Sequence, residues 1–348
     1  MILYTNNEIT ILTRNRGANK RFEEVINNIR VISVPIIKFP VIGLFHFRNL
    51  ISKEFRNISF DVIHYNSPLM FFVPSLKTQK NIVTIHSTMK VSVKYLEPLN
   101  LVTLLKIIMG RLVSPFLELS LINNCDSIIT VSEATTKELF DIYKIKKNKK
   151  IYFIPNCIDN EIFKPNYLPK INQLCTIGRL DYGKGVIELL EAINQIKFIL
   201  RQKDFKFIFV GDGPLKELLE KNIDQYKIND IVQIINHLSQ NEISKILNQS
   251  FYSIINSKYE TGPRTAIESM AVATPVISTP VGLLEHRVHE SIFIEIKKHN
   301  NSIKKAILEG LDIINTDCYN ELKQNSLLFS ERYYCVNIKI KIEDIYEK

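Results

Sequence analysis

The chain has 348 residues, 45% of them hydrophobic and 23% charged, which is ample for a buried core and long for one ordinary α/β domain, so two domains are expected. Its eleven glycines and thirteen prolines are scattered, which excludes collagen-like, repeat and linker-rich architectures. The net charge of +9 resides in the first half: residues 1–170 carry 23 Lys and Arg against 13 Asp and Glu, while residues 171–348 carry 22 against 23. Such a bias fits either a solvated surface or contact with something anionic. With no RNA- or DNA-binding motif, no nucleic-acid partner is expected.

In chain order, Met1 to Thr10 lacks the basic end and apolar core of a secretion signal, so no export is expected. Short β-branched runs then recur, at "DVIHY" (Asp61), "NIVTIH" (Asn81), "SIITVS" (Ser127), "QLCTIG" (Gln173), "FKFIFVGDG" (Phe205), "FYSIINS" (Phe251) and "PVIS" (Pro275). They read as buried parallel strands. Helical spacing separates them, most clearly Val186, Leu189, Leu190, Ile193 and Ile196, and then Leu215, Leu218 and Leu219 after Pro214. The class is therefore α/β.

The uncharged stretches Val62 to Leu76 and Ser269 to Leu284 are broken by prolines and too short to span a membrane. Cys125, Cys157, Cys175, Cys318 and Cys335 are odd in number and far apart, so they are expected to be free thiols in a cytoplasmic protein. Three prolines and a loss of periodicity between Pro155 and Lys170 place a boundary near residue 165, giving domains 1–165 and 166–328 and a closing helix, 329–348.

In open parallel sheets, ligands bind beyond the carboxyl ends of the strands. His86, the pair Gly178 and Arg179, the pair Gly211 and Asp212, and Ser257 to Glu260 all fall there. "IGRLDYGKG", Ile177 to Gly185, joins two cations, Arg179 and Lys184, to a glycine-rich backbone, a pattern suited to a diphosphate and to the charge it gains as a leaving group. In "SKYETGPRTAIESMAVATPVIS", Ser257 to Ser278, Glu260 sits in a loop and Glu268 on an apolar helix. A carboxylate so placed needs a hydrogen-bonding partner, either a ribose diol or a buried cation.

Both stretches resemble signatures of the family-4 glycosyltransferases, retaining enzymes of the GT-B fold, in which two Rossmann-like domains face across a cleft. "TIHS" at Thr84, "VSEATTKEL" at Val131, "IPNCID" at Ile154, "FVGDGPLKELLE" at Phe209 and the closing "FSERYYCVNIKIKIEDIYEK" are similar to further elements of that family, in the same order. The resemblance implies transfer of a hexose from a nucleoside diphosphate sugar to a glycan or lipid-linked hydroxyl, with no cofactor and no metal. It implies that Arg179 and Lys184 hold the diphosphate, Glu268 the ribose, and Glu260 the donor sugar, with His86 reaching in from the first domain. Gly178, Gly211, Gly262, Arg264 and Thr265 complete the implied donor site, and the last helix would return to the first domain.

The chain departs from the family pattern at several positions. Cys157 and Ala273 replace glycines, and Pro263 removes one N–H from the loop after Glu260. At the amino end, "EITILTRN" matches the family's second strand, which leaves its first strand and glycine loop missing. On the alternative reading it is the first strand, with Gly17 as the remnant of the loop and "KRFEEVINNI" as a shortened helix. The apolar but basic-punctuated stretches Ile36 to Ile51 and Tyr95 to Ile122 suit either core helices or rest on a membrane surface. Competing functions are a catalytically silent nucleotide-sugar-binding subunit, a sugar-nucleotide epimerase or a phosphorylase. The last would need a pyridoxal-binding lysine in a matching context, and none is evident. The "GDG" at Gly211 lacks a dinucleotide fingerprint's third glycine.

Overall fold

The computed structural model describes residues 2–5, 8–15, 21–26, 29–35, 49, 53, 55–66, 77–95, 101–145, 149–166, 169–297 and 301–347. Gly17 and the apolar stretch from Ile36 to Ile51 lie outside these residues, apart from position 49. The chain forms two compact units: one of residues 1–94 and 98–154, the other of residues 95–97 and 155–347.

The first unit is built on an eight-stranded sheet, in the order β3-β4-β2-β1-β5-β6-β7-β8. Its strands are β1 (Ile2–Thr5), β2 (Glu8–Asn15), β3 (Phe22–Ile26), β4 (Ile29–Pro35), β5 (Ser59–Tyr65), β6 (Lys77–Ile85), β7 (Ser127–Thr130) and β8 (Lys150–Phe153). The helices are α1 (Met89–Ser92), α2 (Leu101–Leu112), α3 (Ser114–Asn124) and α4 (Glu133–Tyr143). Strands β5 to β8 run parallel, as their β-branched runs predict, and β2 is parallel to β4. Two strands depart from the all-parallel expectation. β1 is antiparallel to both β2 and β5, and β3 is antiparallel to β4. Only two residues separate β1 from β2, a spacing that a hairpin accommodates and a parallel crossover does not. The helix expected in "KRFEEVINNI" on one reading is instead strand β3, whose side chains are all exposed. The core gathers Leu12, Ile32, Ile63, Val83 and Ile128 of the sheet against Leu121, Ile122 and Leu139 of α3 and α4.

The second unit holds a six-stranded sheet that is parallel throughout, in the order β11-β10-β9-β12-β13-β14. The strands are β9 (Gln173–Ile177), β10 (Lys206–Val210), β11 (Val232–Ile235), β12 (Tyr252–Ile255), β13 (Val276–Ser278) and β14 (Phe293–Glu295). Its helices are α5 (Val186–Gln195), α6 (Lys197–Gln202), α7 (Lys216–Tyr226), α8 (Gln240–Gln249), α9 (Arg264–Ala271), α10 (Ser302–Ile313), α11 (Asp317–Glu331) and α12 (Cys335–Glu347). Alternate residues of each strand feed two cores. Leu174, Phe207, Ile254 and Ile277 meet Leu189, Leu190 and Ile193 of α5 and Leu219 of α7. Cys175, Ile255 and Val276 meet Ala266, Ile267 and Met270 of α9 together with Leu247 and Phe329. Both faces of the sheet are thus covered, as a parallel sheet requires.

One cysteine expectation fails. Cys157 and Cys335, 178 residues apart in sequence, form a disulfide with their Cα atoms 4.8 Å apart. A bridge between Ile158 and Tyr334, with Ile158 N–H bonded to the Tyr333 carbonyl and Cys335 N–H to that of Ile158, brings the two together, which spacing alone could not reveal. Cys125 and Cys175 are free and buried, and Cys318 is free and exposed.

Ala273 has a cost that the structure makes visible. It ends α9 in a Schellman motif, with Thr274 N–H bonded to the Ser269 carbonyl and its own N–H to that of Met270. Its φ of +55° is the left-handed conformation in which a Cβ is disfavoured. Ala273→Gly is expected to raise the unfolding free energy by about 1 kcal/mol, strain relief outweighing the added freedom of the unfolded chain. Urea titration of the two proteins measures it, and an unchanged or lower midpoint would refute it.

Candidate functional site

The sheet of the second unit changes direction between β9 and β12: from β9 the chain moves outward through β10 to β11, and from β12 the other way through β13 to β14. Loops leaving the carboxyl ends of two such strands diverge and open a crevice. The cavity here is lined by Thr176 to Leu180 at and beyond the end of β9, Ile255 to Ser257 at and beyond the end of β12, and Lys184, Val186, Glu260, Gly262, Pro263, Arg264 and Thr265.

Local chemistry fixes each wall. Gly178 N–H bonds to the Val210 carbonyl and Leu180 N–H to that of Asp212, which draws together the loops after β9 and β10. Gly211 supports this approach: its φ is +141°, and a Cβ there would run into the Gly178 backbone. Asp181 then caps a single turn, Tyr182–Lys184, by accepting from the Lys184 N–H at 3.2 Å. Gly185, at φ +60°, ends the turn where a Cβ would strike Asn256. Asn256 Nδ2 donates to the Gly185 carbonyl at 2.8 Å, and Lys258 N–H to that of Gly183 at 2.8 Å. The basic loop is thereby tied to the loop after β12.

Three cations line the cavity, each matched to a carboxylate. Lys184 Nζ forms a short ion pair with Glu260 Oε1, which also accepts from Ser257 Oγ at 3.0 Å. Arg179 Nε lies 3.2 Å from Asp181 Oδ2, with its side chain 69% exposed. Arg264 Nε lies 2.9 Å from Glu268 Oε1. Burial pushes the Glu268 carboxyl upward, and Arg264 opposes that shift. Helix α9 starts at the cavity with Pro263 as its cap, and the first helical bonds run from Ala266 and Ile267 to the Pro263 carbonyl. The N–H groups of Arg264 and Thr265 precede those bonds, and the missing N–H of Pro263 falls where a helix tolerates it. Positive side chains and a helix start make a site for a polyanion.

Seven residues picked out in the sequence, Gly178, Arg179, Lys184, Glu260, Gly262, Arg264 and Thr265, share this one cavity. Gly211 and Glu268 are not among the lining residues; the first shapes the cavity through Gly178 and the second through Arg264. His86 belongs to the first unit, where its Nε2 lies 3.1 Å from Asn66 Oδ1 and burial lowers its pKa, favouring the neutral ring. Asn256 was missed in the sequence, although a polar residue closing the run "FYSIIN" carried the same strand-end signal as His86.

Residues 158–318 match the family described as "Glycosyl transferases group 1", and residues 5–162 match "Glycosyltransferase Family 4". The chain belongs to the family-4 glycosyltransferases, and its fold is GT-B. It is 27% identical over 229 residues to an uncharacterized glycosyltransferase of Methanocaldococcus jannaschii, covering 65% of this chain and 60% of that one. Sucrose-phosphate synthase from Thermosynechococcus elongatus has a similar structure, with a TM-score of 0.77 at 20% identity, covering 97% of this chain and 88% of that one. The Anabaena protein HepE, solved in complex with UDP and glucose, superposes with a TM-score of 0.71 at 15% identity, covering 92% and 87%. The chain thus spans about three-fifths of the length of the M. jannaschii glycosyltransferase.

In this cavity the pairing of Lys184 with Glu260 sets the response to anions. Lys184→Ala removes a cation and leaves a carboxylate facing the ligand, so binding of a nucleoside diphosphate should weaken by about 2 kcal/mol or more. Adding Glu260→Gln should restore part of that loss, whereas Arg179→Ala, acting from an exposed position, should cost less. Calorimetric titration with UDP checks the order; equal losses in Lys184→Ala and Arg179→Ala would contradict it.

Proposed function

We propose that the chain is a retaining hexosyltransferase that moves a sugar from a nucleoside diphosphate donor to a hydroxyl acceptor, either a glycan or a lipid-linked intermediate. The observation that carries this reading is the convergence of Lys184, Arg179, Arg264 and the start of α9 on one cavity at the change of strand direction. As the bond from the anomeric carbon to the diphosphate breaks, charge builds on the departing phosphate. Cations already in place stabilise that state more than the bound ground state. Glu260 holds Lys184 in position until the donor's phosphate competes for it, and then lies close to the sugar. Glu268 fits the ribose end, because Arg264 occupies one of its oxygens and a diol could use the other. The family resemblance assigns His86 to the reacting end. Transfer with retention on one face needs no protein nucleophile, since the leaving phosphate can accept the acceptor's proton.

The same reading makes the reaction metal-independent. Support comes from the cations: Lys184, Arg179 and Arg264 already line the cavity and can meet the charge of a departing diphosphate. We expect transfer to continue in excess EDTA and the product to keep the donor's anomeric configuration, with donors first found by thermal shift against common nucleotide sugars. A strict need for magnesium or manganese, or an inverted product, would count against it. Binding of a donor without turnover would favour the silent-subunit alternative.

We also propose peripheral contact with an anionic membrane, through α2 and α3. Leu104, Leu105, Ile108, Leu112 and Phe116 are 41 to 74% exposed on these helices, more than scattered surface apolar residues warrant. Arg111 on α2 is exposed beside Leu112, Lys90 and Lys94 earlier in the chain are exposed too, and the acidic residue on these helices, Glu118, is buried. Apolar groups flanked by cations suit an anionic headgroup layer. Among the described residues no helix is long and apolar enough to cross a membrane. Sedimentation with phosphatidylglycerol vesicles should pull the protein down, with phosphatidylcholine vesicles doing so weakly, and Leu112→Ser with Phe116→Ser should weaken binding by about tenfold or more. Equal recovery with both lipids, or no effect of the substitutions, would refute the contact.

A further inference from the structure

The first unit contains a group of ionisable side chains of its own, part of it buried. Strand β6 ends at Ile85, and His86, Ser87 and Thr88 turn the chain into α1. Thr88 is 0% exposed and Glu118 of α3 is 1% exposed. Both oxygens of Glu118 accept from the Met89 N–H, at 3.0 and 3.2 Å, and Oε2 also accepts a short hydrogen bond from the Tyr143 hydroxyl of α4. One residue earlier, Thr88 donates its hydroxyl at 2.8 Å and its N–H at 3.4 Å to Glu138 Oε2 of α4. Ser92 Oγ, bonded to Ser87 Oγ at 2.7 Å, donates to the Thr88 carbonyl at 2.9 Å and closes the turn.

Withdrawing the Glu118 carboxylate from water is a costly way to begin a four-residue helix. A side chain at the cap position holds a helix start more cheaply, by accepting from the second or third helical N–H, yet Thr88 makes no cap bond and turns its hydroxyl to Glu138 instead. What the arrangement secures is the place of the turn relative to α3 and α4. The residue that this turn carries is His86.

We propose that Glu118 is a positioning residue for His86: with Glu138 it clamps the backbone of Thr88 and Met89 onto α3 and α4 and so fixes where the imidazole stands. The importance of that position rests on the role given to His86 under Proposed function; the clamp does not. Burial lifts the Glu118 carboxyl to about 7, against the Tyr143 hydroxyl and the Met89 N–H, while Glu138 pushes it further up. The groups facing it are Tyr143 and Glu138 of α4 and the Met89 N–H of α1. Because this carboxyl is raised above its ordinary value, its contribution to stability is full below the ordinary carboxyl range and is lost as pH climbs through about 7. The setting of His86 should change over the same interval.

Imidazole NMR spectra of the full chain test this, with His86 assigned by the signal lost in His86→Gln. The His86 resonances should show an inflection near pH 7 beyond their own titration, and Glu118→Gln should abolish it and shift the signal. In the same variant kcat should fall by about tenfold with donor KM unchanged. Tyr143→Phe, which keeps the carboxylate but removes a donor to it, should move the inflection upward and serves if Glu118→Gln does not fold. His86 resonances that keep the same shifts and pH response in the folded variants overturn the proposal. A wild-type rate in His86→Gln would instead refute the role given to His86 in transfer, a result the spectra do not depend on.

Discussion

The site depends on one topological constraint, the reversal of chain direction between β9 and β12 in a sheet whose strands all point the same way. Two neighbouring strands there send their following segments to opposite sides, so their carboxyl ends are left uncovered. Everything else in the second unit serves that opening. The glycines let the loop after β10 close against the loop after β9, the cap at Asp181 sets Lys184 at the rim, and α9 begins where the crevice ends. The cores on both faces make the strand ends rigid enough for such placement to matter.

Charge is then arranged so that an empty cavity does not carry three bare cations. Lys184, Arg179 and Arg264 each have a carboxylate within ion-pairing distance. Their exposures separate their contributions. The Arg179 pair sits in water, where screening leaves little energy, while Glu260 and Glu268 are largely withdrawn from solvent and hold their partners firmly. An incoming polyanion exchanges one partner for another in the same place, which limits the reorganisation required when it binds.

Sequence patterns made the second unit readable because its signals are local. Strand, glycine turn and helix follow one another within a few residues at Gln173 to Gln195, and the cavity residues predicted there come together. What escaped depends on contacts far apart in the chain. The Cys157 to Cys335 bond spans 178 positions, and its signal was lost because the cysteine count was odd and the pair lay at opposite ends of the unit. The antiparallel setting of β1 and β3 was equally hidden, since a hairpin residue pattern does not tell which strand of a larger sheet will accept it. Glu268 was seen as a buried carboxylate in need of a partner, and the partner turned out to be Arg264, four residues before it on the same helix.

The two glycine replacements noted in the sequence turn out to differ in kind. Ala273 stands in a left-handed position that a glycine would occupy without strain, so it is a tolerated loss. Cys157 is not among the residues with positive φ, so its backbone makes no demand for glycine, and its side chain closes the disulfide to the start of α12. A motif written with glycine at both positions therefore carries a conformational requirement at one of them and none at the other. Only the backbone dihedral separates them. At Gly211 and Gly185, by contrast, dihedral and space act together, since a Cβ at either would strike neighbouring backbone or Asn256 as well as strain the chain.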